Sequence, residues 1–151
     1  MIKILSENKK ASFNYQILER FEAGLVLLGT EVKSIKLKRV NLTGSYIIFK
    51  GKELYLIGIN IPPYQPKNAP SNYDPERPRK LLLRKKEITY LIGKIKQKRG
   101  LTLIPLKVYI KNAKIKMEFG LSQATKKFDK RELIKKRETE KYLKEELKTR
   151  G

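Results

Sequence analysis

The chain has 151 residues, and its 36 Lys and Arg against 15 Asp and Glu leave a formal net charge of +21. A surplus that large costs a folded domain self-repulsion and points to a polyanionic partner, nucleic acid first. The absence of cysteine and histidine excludes disulfides, thiolate metal sites and a cysteine nucleophile, and removes the commonest general base and neutral metal ligand.

No apolar run approaches the roughly 20 residues of a membrane-spanning helix, and Met1 to Lys10 carries no hydrophobic signal core. A soluble, reducing, cytoplasmic setting without membrane contact is the expectation.

In chain order, residues 1–12 read as a flexible basic arm. Phe13, Tyr15, Ile17 and then Ala23 to Leu28 predict a long strand, bent near Glu19-Arg20. Gly29-Thr30 opens a short helix, with Thr30 as N-cap, Glu31 in the first turn and Val32 and Ile35 on its apolar face. Tyr46 to Phe49 and Leu54 to Ile61 read as a hairpin turning at Lys50-Gly51-Lys52. Gln65 to Pro78 is a long loop of a kind that often carries function, and Leu81-Leu82-Leu83 re-enters the core. Ile88, Leu91, Ile92 and Ile95 form one helical stripe that Gly100 closes. Ile104, Leu106, Val108 and Ile110, then Ile115, Met117 and Phe119, alternate as two strands joined at Asn112-Ala113.

Past Leu121 the apolar signal fades. Residues 126–151 hold eleven Lys/Arg and six Asp/Glu with no continuous stripe, so 123–151 is expected to be a basic C-terminal tail, disordered when free and helical on a charged surface. The fold class is mainly β with flanking helices: five or six strands in an OB-like antiparallel closed barrel over 13–122, with a positive outer wall.

Six motifs in order extend this reading: Asn8-Lys9-Lys10-Ala11; Phe21-Glu22-Ala23-Gly24; Gly29-Thr30-Glu31-Val32-Lys33-Ser34; Asn60-Ile61-Pro62-Pro63-Tyr64; Asp74 to Leu83; and Phe128-Asp129-Lys130-Arg131. Together the chain closely resembles the small protein B (SmpB) family, the bacterial partner of transfer-messenger RNA (tmRNA) in trans-translation. The resemblance implies an OB-type barrel that binds the tRNA-like domain of tmRNA at its elbow. EF-Tu and alanyl-tRNA synthetase are met through that complex. On the ribosome, the tail enters the decoding centre of small-subunit rRNA and the empty mRNA channel.

By motif, Asn8, Lys9, Lys10 and Ala11 resemble part of the tmRNA-binding loop, and Glu31, Lys33 and Ser34 the helix surface facing that RNA. Lys126, Lys127, Phe128, Asp129, Lys130 and Arg131 resemble the decoding-centre motif. There the family usually shows Gly-Lys-Lys and then His or Tyr before the Asp; Ala124 and Phe128 depart from that pattern. Phe128 can stack on a base but cannot hydrogen-bond through its ring.

The residues themselves allow plainer readings. Lys9 and Lys10 also suit a solvated terminal pair, against phosphate contacts that weaken with salt. Glu31 also suits a charge at a helix N-terminus, against an acceptor for RNA donors. Arg79 and Lys80, after a Pro-bracketed loop, read as rigid cations for phosphate; Tyr64 reads as structural. The competing functions are a generic OB-fold RNA-binding or ribosomal protein, and an RNA-acting enzyme. The scattered acids disfavour a Mg²⁺ site for the latter, so a non-enzymatic monomer without catalytic residues, metal or cofactor is expected.

Overall fold

The computed structural model describes residues 2–125. Seven strands and three α-helices follow in the order β1 (Ile2–Glu7), α1 (Ala11–Asn14), β2 (Tyr15–Leu25), α2 (Gly29–Lys36), β3 (Tyr46–Lys50), β4 (Glu53–Ile57), β5 (Arg79–Leu82), α3 (Lys85–Gln97), β6 (Leu101–Lys111) and β7 (Lys114–Ala124). They form one antiparallel sheet ordered β1-β6-β7-β2-β5-β4-β3, the OB-like architecture expected, with one difference. The sheet is not closed by hydrogen bonds. It curls until β3 lies against β6. The loop before β3 spans part of the seam, where the Leu42 N–H donates to Ser6 Oγ of β1 at 3.3 Å.

The other differences have local causes. Residues 2–7, expected as part of a flexible arm, pair with β6 from Ile2↔Lys111 to Glu7↔Lys107. Leu5 alone anchors them in the core, 6% exposed, too weak a signal to read as a strand beside Lys3 and Glu7. At the other end β7 runs past residue 122, with Gln123 opposite Gln16 and Ala124 opposite Tyr15. Thr125, the last described residue, is tied to the body through its N–H, which donates to the Asn14 carbonyl.

In β6 the alternation fails at a bulge between Pro105 and Lys107. Leu103 and Val108 face the main core, while Ile104 and Leu106 turn to a second cluster with Ala11 and Tyr15. A bulge shifts the facing of every residue beyond it. That stretch of the outer wall is therefore covered by α1 rather than basic.

The rest follows the apolar pattern. β2 shifts register between Ile17 and Glu19, where the bend is expected. Asn112 and Ala113 both have positive φ, 51° and 64°, as a two-residue hairpin turn requires. α3 buries Leu91 completely and sets Ile88 and Ile95 against the core; each such aliphatic burial contributes about 1.5–3 kcal/mol. α3 stops at Gln97, so Gly100 shapes the turn into β6 rather than capping the helix. Phe21 stacks on Phe119 with ring centres 5.5 Å apart, joining β2 to β7.

Candidate nucleic-acid interface

Glu31 organises one half of the candidate surface. α2 opens two residues earlier than expected, with Leu28 rather than Thr30 at the N-cap, and Glu31 reaches back to accept the Leu28 N–H at 2.8 Å. That satisfies one of the otherwise unpaired donors at a helix start.

The carboxylate is 1% exposed and pairs with both Arg77 and Arg79. Arg79 is fully buried. Its Nε donates to Glu31 at 3.0 Å, and its Nη1 to the carbonyls of Ile59, Pro75 and Arg77 at 3.2, 2.9 and 2.7 Å. Tyr73 joins them, its hydroxyl 2.8 Å from the Ile61 carbonyl and 3.1 Å from Glu31. Burial pushes the Glu31 carboxyl up, but the Leu28 N–H and the two guanidinium groups outweigh it, and the net is a pKa below the usual 4.5.

This network fastens α2 to the 59–79 loop. Ser34, also buried, donates to the Pro62 carbonyl at 2.7 Å, and Arg39 to the Tyr64 carbonyl at 3.2 Å. Outward the helix shows Thr30, Lys33 and Lys36, and Lys38 and Arg39 follow just past its end, all exposed. Lys33 Nζ stands 5.5 Å from the centre of the Tyr64 ring. The one acid of the segment is folded away, so its exposed charge is purely positive.

The second half is the turn before α1. The Asn8 N–H donates to the Leu106 carbonyl at 2.8 Å and its Nδ2 to the Pro105 carbonyl at 3.0 Å. Asn8 thus uses the two carbonyls of the β6 bulge. Ala11, 3% exposed, seats the turn in the second cluster. Between those anchors Lys9 and Lys10 are exposed. Ser12 Oγ donates to the Lys9 carbonyl at 3.1 Å, and the Phe13 ring beside them is 80% exposed.

The sequence-predicted residues therefore divide. Lys9, Lys10 and Lys33 are on the surface. The expectation that Glu31, Ser34 and Arg79 face RNA directly is corrected: their side chains are buried and engaged within the protein, as is the Ala11 methyl. Lys80 is half-exposed and paired with Glu53 at 3.1 Å. Lys126, Lys127, Phe128, Asp129, Lys130 and Arg131 lie outside the described residues.

Arg77 and Tyr73 were not singled out. The hint available is chemical: a carboxylate inside a strongly basic surface needs a buried partner, and Arg77 stands in the Pro-bracketed loop while Arg79 opens β5 just after it.

The two cationic patches sit at opposite ends of β2, an 11-residue strand that spans up to about 35 Å. A single ligand touching both must be a macromolecule. The acids do not cancel this surface, because Lys and Arg outnumber them 36 to 15 and several acids are already engaged by the protein's own donors. Glu22 accepts from Tyr109 and Lys111, Glu19 from Tyr90, Glu118 from Arg20, Glu87 from the Arg84 N–H, and Asp74 from the Glu76 N–H. Among the described residues no cluster of acids can hold a metal ion, and no helix is long and apolar enough to cross a membrane.

A curled antiparallel sheet with flanking helices and a large surplus of cations on its surface defines an OB-like nucleic-acid-binding protein. The comparisons make the class specific. The family described as SmpB protein matches residues 5–149. The SsrA-binding protein of Thermosynechococcus vestitus is 48% identical over 149 residues, 99% of this chain and 97% of that one. That of Carboxydothermus hydrogenoformans is 48% identical over 150 residues, 99% of each. A chain of the solved structure described as "tmRNA-SmpB: a journey to the center of the bacterial ribosome" is 46% identical. It superposes with a TM-score of 0.65 over 82% of this chain and 86% of that one. The chain belongs to the SmpB family.

Proposed function

We propose that this chain is the tmRNA-binding adaptor of trans-translation. It binds the tRNA-like domain of tmRNA, accompanies it to stalled ribosomes, and supports rescue and peptide tagging through its tail. The observation that carries the reading is the pair of cationic patches at the two ends of β2, each held by an internal network. Lys9 and Lys10, fixed by Asn8 and Ala11, form one phosphate-binding edge. Lys33 and its neighbours on α2, fixed by Glu31, Ser34 and Arg79, form the other. A backbone held by these networks presents its lysines to a folded RNA with less ordering cost at the moment of binding.

In this reading Glu31, Ser34 and Arg79 are positioning residues, and Lys80 is a secondary contact released from Glu53. Residues 126–131 read the decoding centre and small-subunit rRNA. EF-Tu and alanyl-tRNA synthetase meet the protein through the tmRNA complex. The protein acts by binding, in the cytoplasm, and supplies no catalytic group.

The test is a reconstituted translation system stalled on mRNA without a stop codon. Full-length chain with tmRNA is expected to tag the stalled peptide. A chain ending at Thr125 keeps its sheet and its RNA affinity but loses tagging. Equal tagging by both chains, or loss of RNA affinity with the tail, contradicts the assignment.

A further inference from the structure

A cleft of about 150 Å³ opens between α2 and the 62–73 loop, lined by Thr30, Lys33, Pro63, Tyr64, Asn68 and Tyr73 among others. Its shape is built rather than incidental. Pro62 and Tyr64 are fastened to α2 and Arg39 through their carbonyls, and the prolines fix the local backbone. Asn68 Nδ2 is held by Gln65 Oε1 at 2.8 Å.

The walls offer flat apolar surface from an aromatic ring and proline rings. The amide of Asn68 adds a polar group. Lys33 stands over the Tyr64 ring, and Lys67 and Arg39 are exposed nearby. Flat apolar walls, one polar group and a cation at the mouth suit a planar heterocycle that carries a phosphate.

We infer that this cleft takes one unpaired nucleobase of the bound RNA. The base stacks on Tyr64, its polar edge meets Asn68, and its phosphate meets Lys33. The inference rests on the reading that this face binds RNA. It adds a subsite that grips one extruded nucleotide, where the lysine patches grip the backbone.

The experiment combines two titrations of the full-length chain. In the first, the tRNA-like domain of tmRNA and a random structured RNA of equal length are each bound by wild type, Tyr64→Leu, Tyr64→Phe and the double reversal Lys9→Glu/Lys10→Glu, each variant checked for an unchanged melting temperature. Tyr64→Leu is expected to weaken binding about 5- to 150-fold, the range for losing one stacked base; Tyr64→Phe keeps wild-type affinity.

In the second, adenosine and uridine 5′-monophosphates are titrated while amide shifts are followed by NMR. Shifts are expected at residues 30–33 and 62–73, and they persist in the Lys9/Lys10 reversal. If Tyr64→Leu binds RNA like wild type while the lysine reversal weakens it, the cleft holds no base and the inference falls. If the wild type shows no preference for tRNA-like RNA but the mononucleotide shifts remain at the cleft, the adaptor reading falls and the base site stands.

Discussion

Replacing Arg79 with alanine separates a positioning role from an RNA contact. Its guanidinium is fully buried, pairs with Glu31 and donates to three backbone carbonyls. Removing it strands those carbonyls and leaves the Glu31 carboxylate to Arg77, the Tyr73 hydroxyl and the Leu28 N–H. Removing one partner of a buried ion pair costs about 3–5 kcal/mol, a large share of the roughly 5–15 kcal/mol that a domain has. At this chain length about 3 °C of melting temperature accompanies each kcal/mol, so a fall of about 10–15 °C is expected by circular dichroism. Arg79→Lys keeps the charge but not the fork, and is expected to lose more than about 1.5 kcal/mol. The opposite pattern refutes the reasoning: both variants within about 0.5 kcal/mol of wild type, as for a surface substitution, with RNA affinity cut tenfold or more.

Glu31 is held below its usual pKa of 4.5, so the folded chain binds its proton less readily than the unfolded chain. Its contribution is complete above the unfolded value and is lost as pH falls through the lower folded value. Urea unfolding between pH 6 and pH 3 is therefore expected to fall more steeply for wild type than for Glu31→Gln. Lys9→Glu/Lys10→Glu should weaken tmRNA binding without altering stability, and should lower the slope of log affinity against log salt by about one per lysine removed. Asn8→Ala removes the hydrogen bond to Pro105, costs about 1 kcal/mol in urea unfolding, and loosens the lysine turn enough to lower RNA affinity with no change of charge. Ala113→Gly relieves a left-handed alanine at φ 64° and should raise stability by about 1 kcal/mol.

What the sequence made legible was local or chemical. The stripe of α3 and the hairpins at Gly51 and Asn112-Ala113 could be read because period and turn chemistry are short-range signals. The charge surplus announced a polyanion without any structure. What stayed hidden depended on partners far apart in the chain. Glu31 lies 46 and 48 residues from Arg77 and Arg79, so nothing local marks it as buried. Arg79 consequently reads as a phosphate clamp when it is the centre of an internal network. β1 was missed because its pairing with β6 depends on a strand a hundred residues away, and the β6 bulge because it leaves the apolar composition of the strand unchanged. In each case the residue type was informative and its facing was not, since facing is set by register.

The central claim is specific recognition of a tRNA-like fold by this cationic surface. A competition titration at physiological salt tests it most directly, with labelled tRNA-like domain of tmRNA bound to the full chain and displaced by unlabelled tmRNA, an elongator tRNA or a random structured RNA of equal length. Displacement by tmRNA at concentrations at least tenfold below those of the random RNA is predicted. Equal displacement by all three contradicts the account and leaves a protein that reads charge alone.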